Sequence, residues 1–359
     1  MPAPARLLIQ VVANLMPGRS GVGDHAIALA HELQAAFGVN TAFAVVNSNE
    51  PCSLPYPTVF CPPSRLLESC LDLTRGQSGA VLVHVSGYGY SRDGTPKLLA
   101  DALEEVKASG RFRLGVYFHE LFATGMPWRS AFWHTRRQRV ALRRIAAQCD
   151  LIVTNTERYA EWLKGESRRL GGARVERMPV FSTVGEADGP ASFEQRDAAL
   201  VMFGLAGSRE LSYRQLAAAG NLVNMLGVEE ILDVGPECNH PAQVQGIRVK
   251  RVGVLPAEEV PAVFSRAQFG FVPHPWYNLA KSSIFAAYCA QGVVPVLSKP
   301  FSQKADGLAE GVQVVTPRTA ACAGRSTWEN RSRAAWSWYR MHRLHVHAER
   351  YAKWMGELR

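Results

Sequence analysis

Several short stretches of the 359-residue chain set glycine beside residue types that bind anions or move protons. The first is Gly18-Arg19-Ser20-Gly21-Val22-Gly23-Asp24. Glycine lets backbone approach a ligand closely, and a helix opening near His25 would offer its free N–H groups to a phosphate or to sugar hydroxyls. Gly21 and Gly23 are its candidate donor contacts and Asp24 its candidate acceptor contact; the spacing is not that of a dinucleotide-binding loop, and an ordinary turn with Asp24 as helix N-cap reads equally well. The second is Val83-His84-Val85-Ser86-Gly87-Tyr88-Gly89-Tyr90, a strand entering an aromatic glycine loop. Tyr88 and Tyr90 suit stacking on a sugar, and Ser86 and His84 suit hydrogen bonding, unless the tyrosines simply cover the core. In the third, Tyr117-Phe118-His119-Glu120, a polar pair leaves a strand end. There His119 would hydrogen-bond a sugar or phosphate oxygen, with Glu120 orienting it or acting as a base. Trp128 and Arg129 follow and would line an acceptor pocket, or pack.

The second half carries two more stretches. In Phe203-Gly204-Leu205-Ala206-Gly207-Ser208-Arg209-Glu210, Arg209 could make a bidentate contact to a diphosphate, or be a surface arginine paired with Glu210. In Pro273 to Ser283, Ser282 and Ser283 cap a helix and leave N–H groups pointing outward beside Lys281, which makes an anion cradle. Asn278, Lys281, Ser282 and Ser283 are the candidate donor-side contacts. Arg136, Arg139 and Arg143 share one helical face by their spacing, with Val140 and Ile145 marking the buried side. That face is either solvated or meets anionic lipid headgroups.

Such residues need strands and helices to hold them. Apolar runs at Leu7 to Ala13, Thr41 to Val46, Val81 to Val85, Leu114 to Phe118 and Leu151 to Thr154 alternate with helical stretches. Near-continuous hydrophobic strands between amphipathic helices are the pattern of a doubly wound parallel sheet covered on both faces. The pattern breaks from Pro179 to Arg196, which reads as a linker, then resumes at Ala199 to Phe203, Glu230 to Val234, Ile247 to Val252, Phe269 to Val272, Val293 to Leu297 and Val312 to Val315. The expected organisation is a first α/β domain over 1–180, a linker over 181–197, a second α/β domain over 198–325 and a helical tail over 326–359 that packs back on the first domain. Two such domains place a cleft between them, with ligands at the carboxyl ends of strands.

Composition agrees with a folded globular protein: 47% hydrophobic and 20% charged residues, with 30 glycines and 21 prolines. The net charge of +9 is uneven, with 21 basic and 15 acidic residues up to Val180, 11 and 13 from Phe181 to Gly324, and 8 and 3 from Arg325 onward. The basic surplus therefore favours an anionic acceptor or membrane surface on the first half and tail, while bulk charge does not favour a diphosphate on the second. No nucleic-acid recognition motif accompanies it. The seven cysteines are scattered with no C-x-x-C pair, which argues against a zinc site or a disulfide framework and suits a reducing cytoplasm. No apolar run approaches the ~18 residues of a membrane span.

Taken in order, these stretches resemble the GT-B glycosyltransferases of the family 4 type over nearly the whole chain. Gly21-Val22-Gly23-Asp24-His25 resembles that family's first glycine loop, Tyr117-Phe118-His119 its strand-end histidine, Phe203-Gly204 its opening second-domain strand and Ala286 to Val296 its helix-glycine-strand segment. The resemblance implies two facing Rossmann-like domains, a nucleotide-sugar donor held mainly by the second, an acceptor held mainly by the first, and no required metal or other cofactor. His119 would contact the donor sugar, and Arg209 and Lys281 the diphosphate. The family's paired glutamates fall on Leu279 and Ala287, so both carboxylates are missing. The expected activity is retaining transfer of a hexose from a nucleotide-diphosphate sugar to a hydroxyl on a saccharide, a lipid-linked acceptor or a small molecule. It would be carried out in the cytoplasm or at the inner face of the membrane. The alternative is a non-catalytic scaffold of the same fold.

Overall fold

The structure, a computed structural model, describes residues 7–18, 20–48, 50, 53–123, 130–167, 173–322 and 325–356. The chain divides into two compact units, Met1–Pro179 with Leu344–Arg359, and Val180–Arg343.

The first unit is built on strands β1 (Leu7–Val12), β2 (Asn40–Val45), β3 (Thr58–Phe60), β4 (Gly79–Val85), β5 (Phe112–Phe118), β6 (Leu151–Thr154) and β7 (Arg174–Arg177). They lie in the order β3-β2-β1-β4-β5-β6-β7, every pair parallel. Helices α1 (Gly21–Phe37), α2 (Leu66–Leu73), α3 (Gly87–Tyr90), α4 (Lys97–Ala108), α5 (Ser130–Ala147) and α6 (Glu157–Ser167) connect them. β4 is buried along its whole length, as a strand covered on both faces must be, which is why it reads as an unbroken apolar run but for His84. β3 and β7 were not legible in the sequence, because short, partly exposed edge strands need no apolar period. Strand order reverses between β1 and β4, which opens a crevice at their carboxyl ends. There α1 begins, with Ser20 as N-cap, and it ends at Gly38 in the left-handed region at φ 62°.

The second unit repeats the plan with β8 (Asp197–Phe203), β9 (Glu230–Val234), β10 (Gln243–Val244), β11 (Ile247–Gly253), β12 (Ala267–Phe271) and β13 (Val294–Val296). Their order is β10-β11-β9-β8-β12-β13, parallel except for the β10–β11 hairpin. Its helices are α7 (Ala206–Ala217), α8 (Leu222–Met225), α9 (Val260–Arg266), α10 (Ser283–Ala290), α11 (Pro317–Ala320) and α12 (Arg325–Arg340). The order reverses between β8 and β12, so this unit has its own crevice. The expected strand at Val312 to Val315 is reduced to two isolated bridges, Val315 with Val296 and Val314 with Glu310, because the turn at Gly311, at φ 79°, leads straight into it.

Two expected boundaries shift. The segment read as a linker packs on the second unit. Phe193 joins that unit's core, and the buried Arg196 guanidinium donates to the carbonyls of Ala191, Ala267 and Gln291. An irregular stretch can thus be ordered by one long donor side chain without any apolar period. The tail is divided: α12 packs on α10, whereas a last helix, α13 (Leu344–Gly356), packs on α1 in the first unit. Trp354 of α13 rests against β5 where Gly115 has no side chain; a Cβ there would lie 3.0 Å from the indole. Arg350 pairs with Glu176, and Arg113 donates to the Trp354 carbonyl at 2.9 Å. Among the described residues no helix is long and apolar enough to cross a membrane.

Candidate functional site

In the first unit, Ala13, Asn14, Ser20, Gly21, Val22, His84, Ser86, Gly89 and Tyr90 enclose a cavity of about 150 Å³ at the β1–β4 crevice. The first glycine loop is folded by its own hydrogen bonds. Ser20 Oγ accepts from Gly23 N at 3.1 Å, and Asp24 Oδ1 accepts from Gly18 N at 2.8 Å. Ser20, not Asp24, is therefore the N-cap. Partial burial raises the Asp24 carboxyl above its usual range, with the Gly18 N–H opposing the shift. Gly21 is the first helical residue and lines the cavity, whereas Gly23 is buried.

The aromatic glycine stretch is a single helical turn rather than an open loop. Tyr90 turns its hydroxyl inward to the His84 carbonyl at 2.8 Å, and burial holds that hydroxyl protonated, so it anchors α3. Tyr88 is exposed. A Cβ at Gly87 would collide with the Gly94 carbonyl oxygen. Gly87→Ala is accordingly expected to cost about 1–3 kcal/mol, read from the urea midpoint, as α3 shifts to relieve the overlap.

Behind the cavity the first turns of α1 and the ends of β4 and β5 bring together three histidines. His119 Nε2 lies 3.1 Å from His84 Nδ1, His84 Nε2 lies 2.7 Å from Gln10 Oε1, and Gln10 donates its amide N–H to the Ala26 carbonyl at 3.0 Å. His25 stands edge-on to His119, with ring centres 4.9 Å apart. Burial drives all three imidazoles towards neutrality, His84 down to about 3; neighbouring imidazoles lower two of them further, His25 through His119, His84 and His347, and His119 through His84 and His347. Among the described residues Glu120 Oε2 accepts from Ser86 Oγ at 3.3 Å, while the His119 ring nitrogen meets His84. Trp128 and Arg129 lie outside the described residues.

In the second unit α10 opens at the β8–β12 crevice. Ser282 is its N-cap and is buried; its Oγ accepts from Phe285 N at 3.1 Å and lies 2.7 Å from His274 Nδ1. Burial, then the neighbouring Lys281 charge, lowers the His274 pKa, which holds the imidazole neutral beside the serine hydroxyl. Ser283 is exposed at the first helical position, and Lys281 ends the 3₁₀ turn Trp276–Lys281, which also carries Asn278. Asn278 Oδ1 is buried with no hydrogen-bond partner. The free N–H groups of a helix start, a lysine and a fixed serine together suit an anion. Leu279 and Ala287 are both buried hydrocarbon.

Arg209 differs from both of its sequence readings. It is fully buried, pairs with Asp233 rather than Glu210, and donates Nε–H to the Gly204 carbonyl at 2.9 Å. Its guanidinium is committed to the inside of the crevice wall. The basic helix is also changed. Arg143 holds Glu166 bidentately at 2.7 and 2.9 Å, Arg139 lies 4.2 Å over the Phe122 ring, and Val140 is exposed, so the buried side is marked by Leu142 and Ile145 instead. Arg136 remains exposed beside the exposed Phe132 and Trp133. Gln10, His274 and Asp233 were missed as site-building residues. Asp233 had a signal, since it interrupts the apolar run of its strand.

A scan against protein-family models and a search of curated proteins return no match. Solved structures do match over their whole length. An alpha-glucosyltransferase in complex with UDP and a 13-mer DNA superposes with a TM-score of 0.59 at 10% identity, covering 96% of this chain and 98% of its own. The pneumococcal O-GlcNAc transferase GtfA in complex with UDP and GlcNAc gives 0.58 at 8% identity, covering 99% of each. A Listeria monocytogenes protein assigned to the UDP-N-acetylglucosamine 2-epimerases gives 0.56 at 11%, covering 96% and 94%. At these identities the likeness defines the fold, which is of the GT-B class: two Rossmann-like, doubly wound domains on mostly parallel sheets.

Proposed function

We propose that the chain is a glycosyltransferase that moves a hexose from a nucleotide-diphosphate sugar to a hydroxyl acceptor with retention and without a metal ion on the diphosphate. The α10 start carries this reading: Ser282 fixed by His274, beside Lys281, at a strand-order reversal. That is the kind of place where such folds hold phosphates. The bond from the sugar to the diphosphate breaks, the acceptor oxygen bonds to the same carbon on the same face, and its proton goes to the departing phosphate oxygen. This route needs no enzymic carboxylate, so buried Leu279 and Ala287 are compatible with it. Lys281 and the helix start would stabilise the charge on the leaving group, and Asn278 and Ser283 would complete the donor contacts. His119 takes part as a neutral hydrogen-bonding group. Asp24, Tyr88 and the cavity would serve the acceptor, with Gly21 at the cavity wall turned to the donor. Exposed Phe132, Trp133 and Arg136 would meet a membrane surface if that acceptor is lipid-linked. A cytoplasmic location is part of the same proposal.

The test is a thermal-shift and turnover panel of UDP and UDP-sugars on the full chain. A ligand at 100 times its Kd stabilises by about 2.7 kcal/mol, which is roughly 5–10 °C in Tm for a domain of this size. Lys281→Met is expected to weaken UDP about tenfold or more, as loss of a charge-assisted hydrogen bond does. Binding without transfer would favour the scaffold reading, and sugar interconversion without an acceptor would favour epimerisation. The absence of any shift with every nucleotide would remove the proposal.

A further inference from the structure

Three buried histidines from three separate elements converge in the first unit: His25 on α1, His84 on β4 and His119 just after β5. One ring nitrogen from each lies within 4.8 Å of the other two. The ring centres are 4.9, 5.4 and 5.7 Å apart. A metal ion about 2.0–2.1 Å from each of three imidazole nitrogens at tetrahedral angles puts ring centres about 5.2 Å apart and nitrogens about 3.4 Å apart. The rings already have that spacing, and His84 Nδ1 and His119 Nε2, 3.1 Å apart, already have the nitrogen spacing.

Outer hydrogen bonds orient the set. The Gln10 amide N–H is committed to the Ala26 carbonyl, so Gln10 Oε1 faces His84 and accepts its Nε2–H. That fixes the His84 tautomer with a bare Nδ1 turned to the cluster, which is the arrangement in which a ligating histidine donates its other N–H to an outer oxygen. In the metal-free state His119 Nε2–H fills the gap by donating to that Nδ1. Moving this one proton to His119 Nδ1 exposes a second lone pair with no change of charge. His347 stays outside the set, with Nε2 on the Pro179 carbonyl at 2.9 Å. His84 also lines the β1–β4 cavity, which supplies an entry path and room for a water.

We propose that His25, His84 and His119 bind one zinc-class divalent ion through three imidazoles, with the fourth position on the cavity side taken by water or hydroxide. This was not legible in the chain, where the three residues are far apart and no ligand spacing occurs. The ion would tie the first glycine loop and α1 to the ends of β4 and β5. The zinc titration is read apart from UDP binding, whose proposed phosphate contacts lie on the other unit, although His119 is also the residue proposed to face the donor sugar.

The experiment uses tag-free, chelator-stripped full-length protein, titrated with zinc against a chromophoric competitor and, separately, with cobalt(II). One equivalent of zinc should bind and raise Tm, and cobalt should give the intense visible bands of a tetrahedral site. His25→Gln and His84→Gln should each weaken binding by a factor of about 100 or more, and Gln10→Leu by about 10–100-fold as an outer-shell loss. In case a variant fails to fold, X-ray absorption of the zinc-loaded wild type should count three imidazoles. Failure to bind one equivalent, affinity unchanged in folded His25→Gln and His84→Gln, or fewer than three imidazoles on the ion would each overturn the assignment.

Discussion

Acidifying the metal-free protein from pH 7 to pH 5 is expected to remove most of the stability of the first unit. Four imidazoles are buried there: His25, His84, His119 and His347. Burial lowers each below the ordinary value, His84 to about 3 and His347 to about 4, while mutual repulsion further lowers His25 and His119. A histidine with a depressed folded pKa binds its proton more readily in the unfolded chain. Its contribution is therefore complete above the unfolded pKa near 6.5 and is lost as pH falls towards the folded value. Between those two values each histidine costs about 1.4 kcal/mol per pH unit, so four cost about 5 kcal/mol per unit. Whole domains are stable by only about 5–15 kcal/mol, so the unit should unfold well before any of these groups titrates in the native state. Urea midpoints measured from pH 7.5 to 4.5 check this. A midpoint that holds steady from pH 7 to 5 would contradict it, and His347→Gln should flatten the slope by about a quarter.

Asp233→Ala is expected to destabilise the second unit by about 3–5 kcal/mol, the cost of leaving a buried charge without its partner. Asp233 accepts from the fully buried Arg209 on one oxygen and from Tyr213 Oη at 2.6 Å on the other. Arg209 in turn holds the Gly204 carbonyl at the end of β8. Gly204 and Gly235 sit at φ 121° and 143° around it, and a Cβ on Gly235 would lie 2.9 Å from Arg209 Nε, so the wall of the crevice is built about this guanidinium. Replacing both partners with hydrocarbon of matching volume, Arg209→Met with Asp233→Leu, should restore much of the loss, because it removes the stranded charge along with the pair. Urea denaturation combined with hydrogen exchange of β8 and β9 separates the two outcomes. Equal destabilisation by the single and double variants would show that packing, not charge, sets the cost. The variant also bears on donor binding, since Gly204 lies beside the α10 start: a Cβ on it would approach Ile284 to 2.9 Å.

The contrast between Arg209 and Ser282 shows where a residue's type and neighbours stop being informative. Both stand at a strand-to-helix junction with glycine or serine nearby. Ser282 acts locally, since an N-cap is made with the N–H groups a few residues on, and its capping role was legible from the sequence. Arg209 is long enough to reach a neighbouring strand, so its role depends on Asp233, 24 residues away in the chain. The same difference separates Arg136, which stays exposed, from Arg143, which is taken up by Glu166 of another helix.

The sequence by itself determined the two sheets. A strand buried on both faces must be nearly all apolar, and the helices between such strands must be amphipathic, so β1, β2, β4, β5, β6 and most of β8 to β13 were legible as short-range patterns. It also determined the glycine loop, the α10 cap and the absence of the two carboxylates. Only the tertiary structure decided which polar side chains meet. The His25–His84–His119 cluster joins a helix to two strand ends, Glu120 turns to Ser86, and α13 returns from the end of the chain to cover Gly115. Hydrophobic periodicity reports which face of an element is buried, whereas a buried polar group takes whichever partner the fold brings within about 3 Å, and that distance has no counterpart in sequence separation.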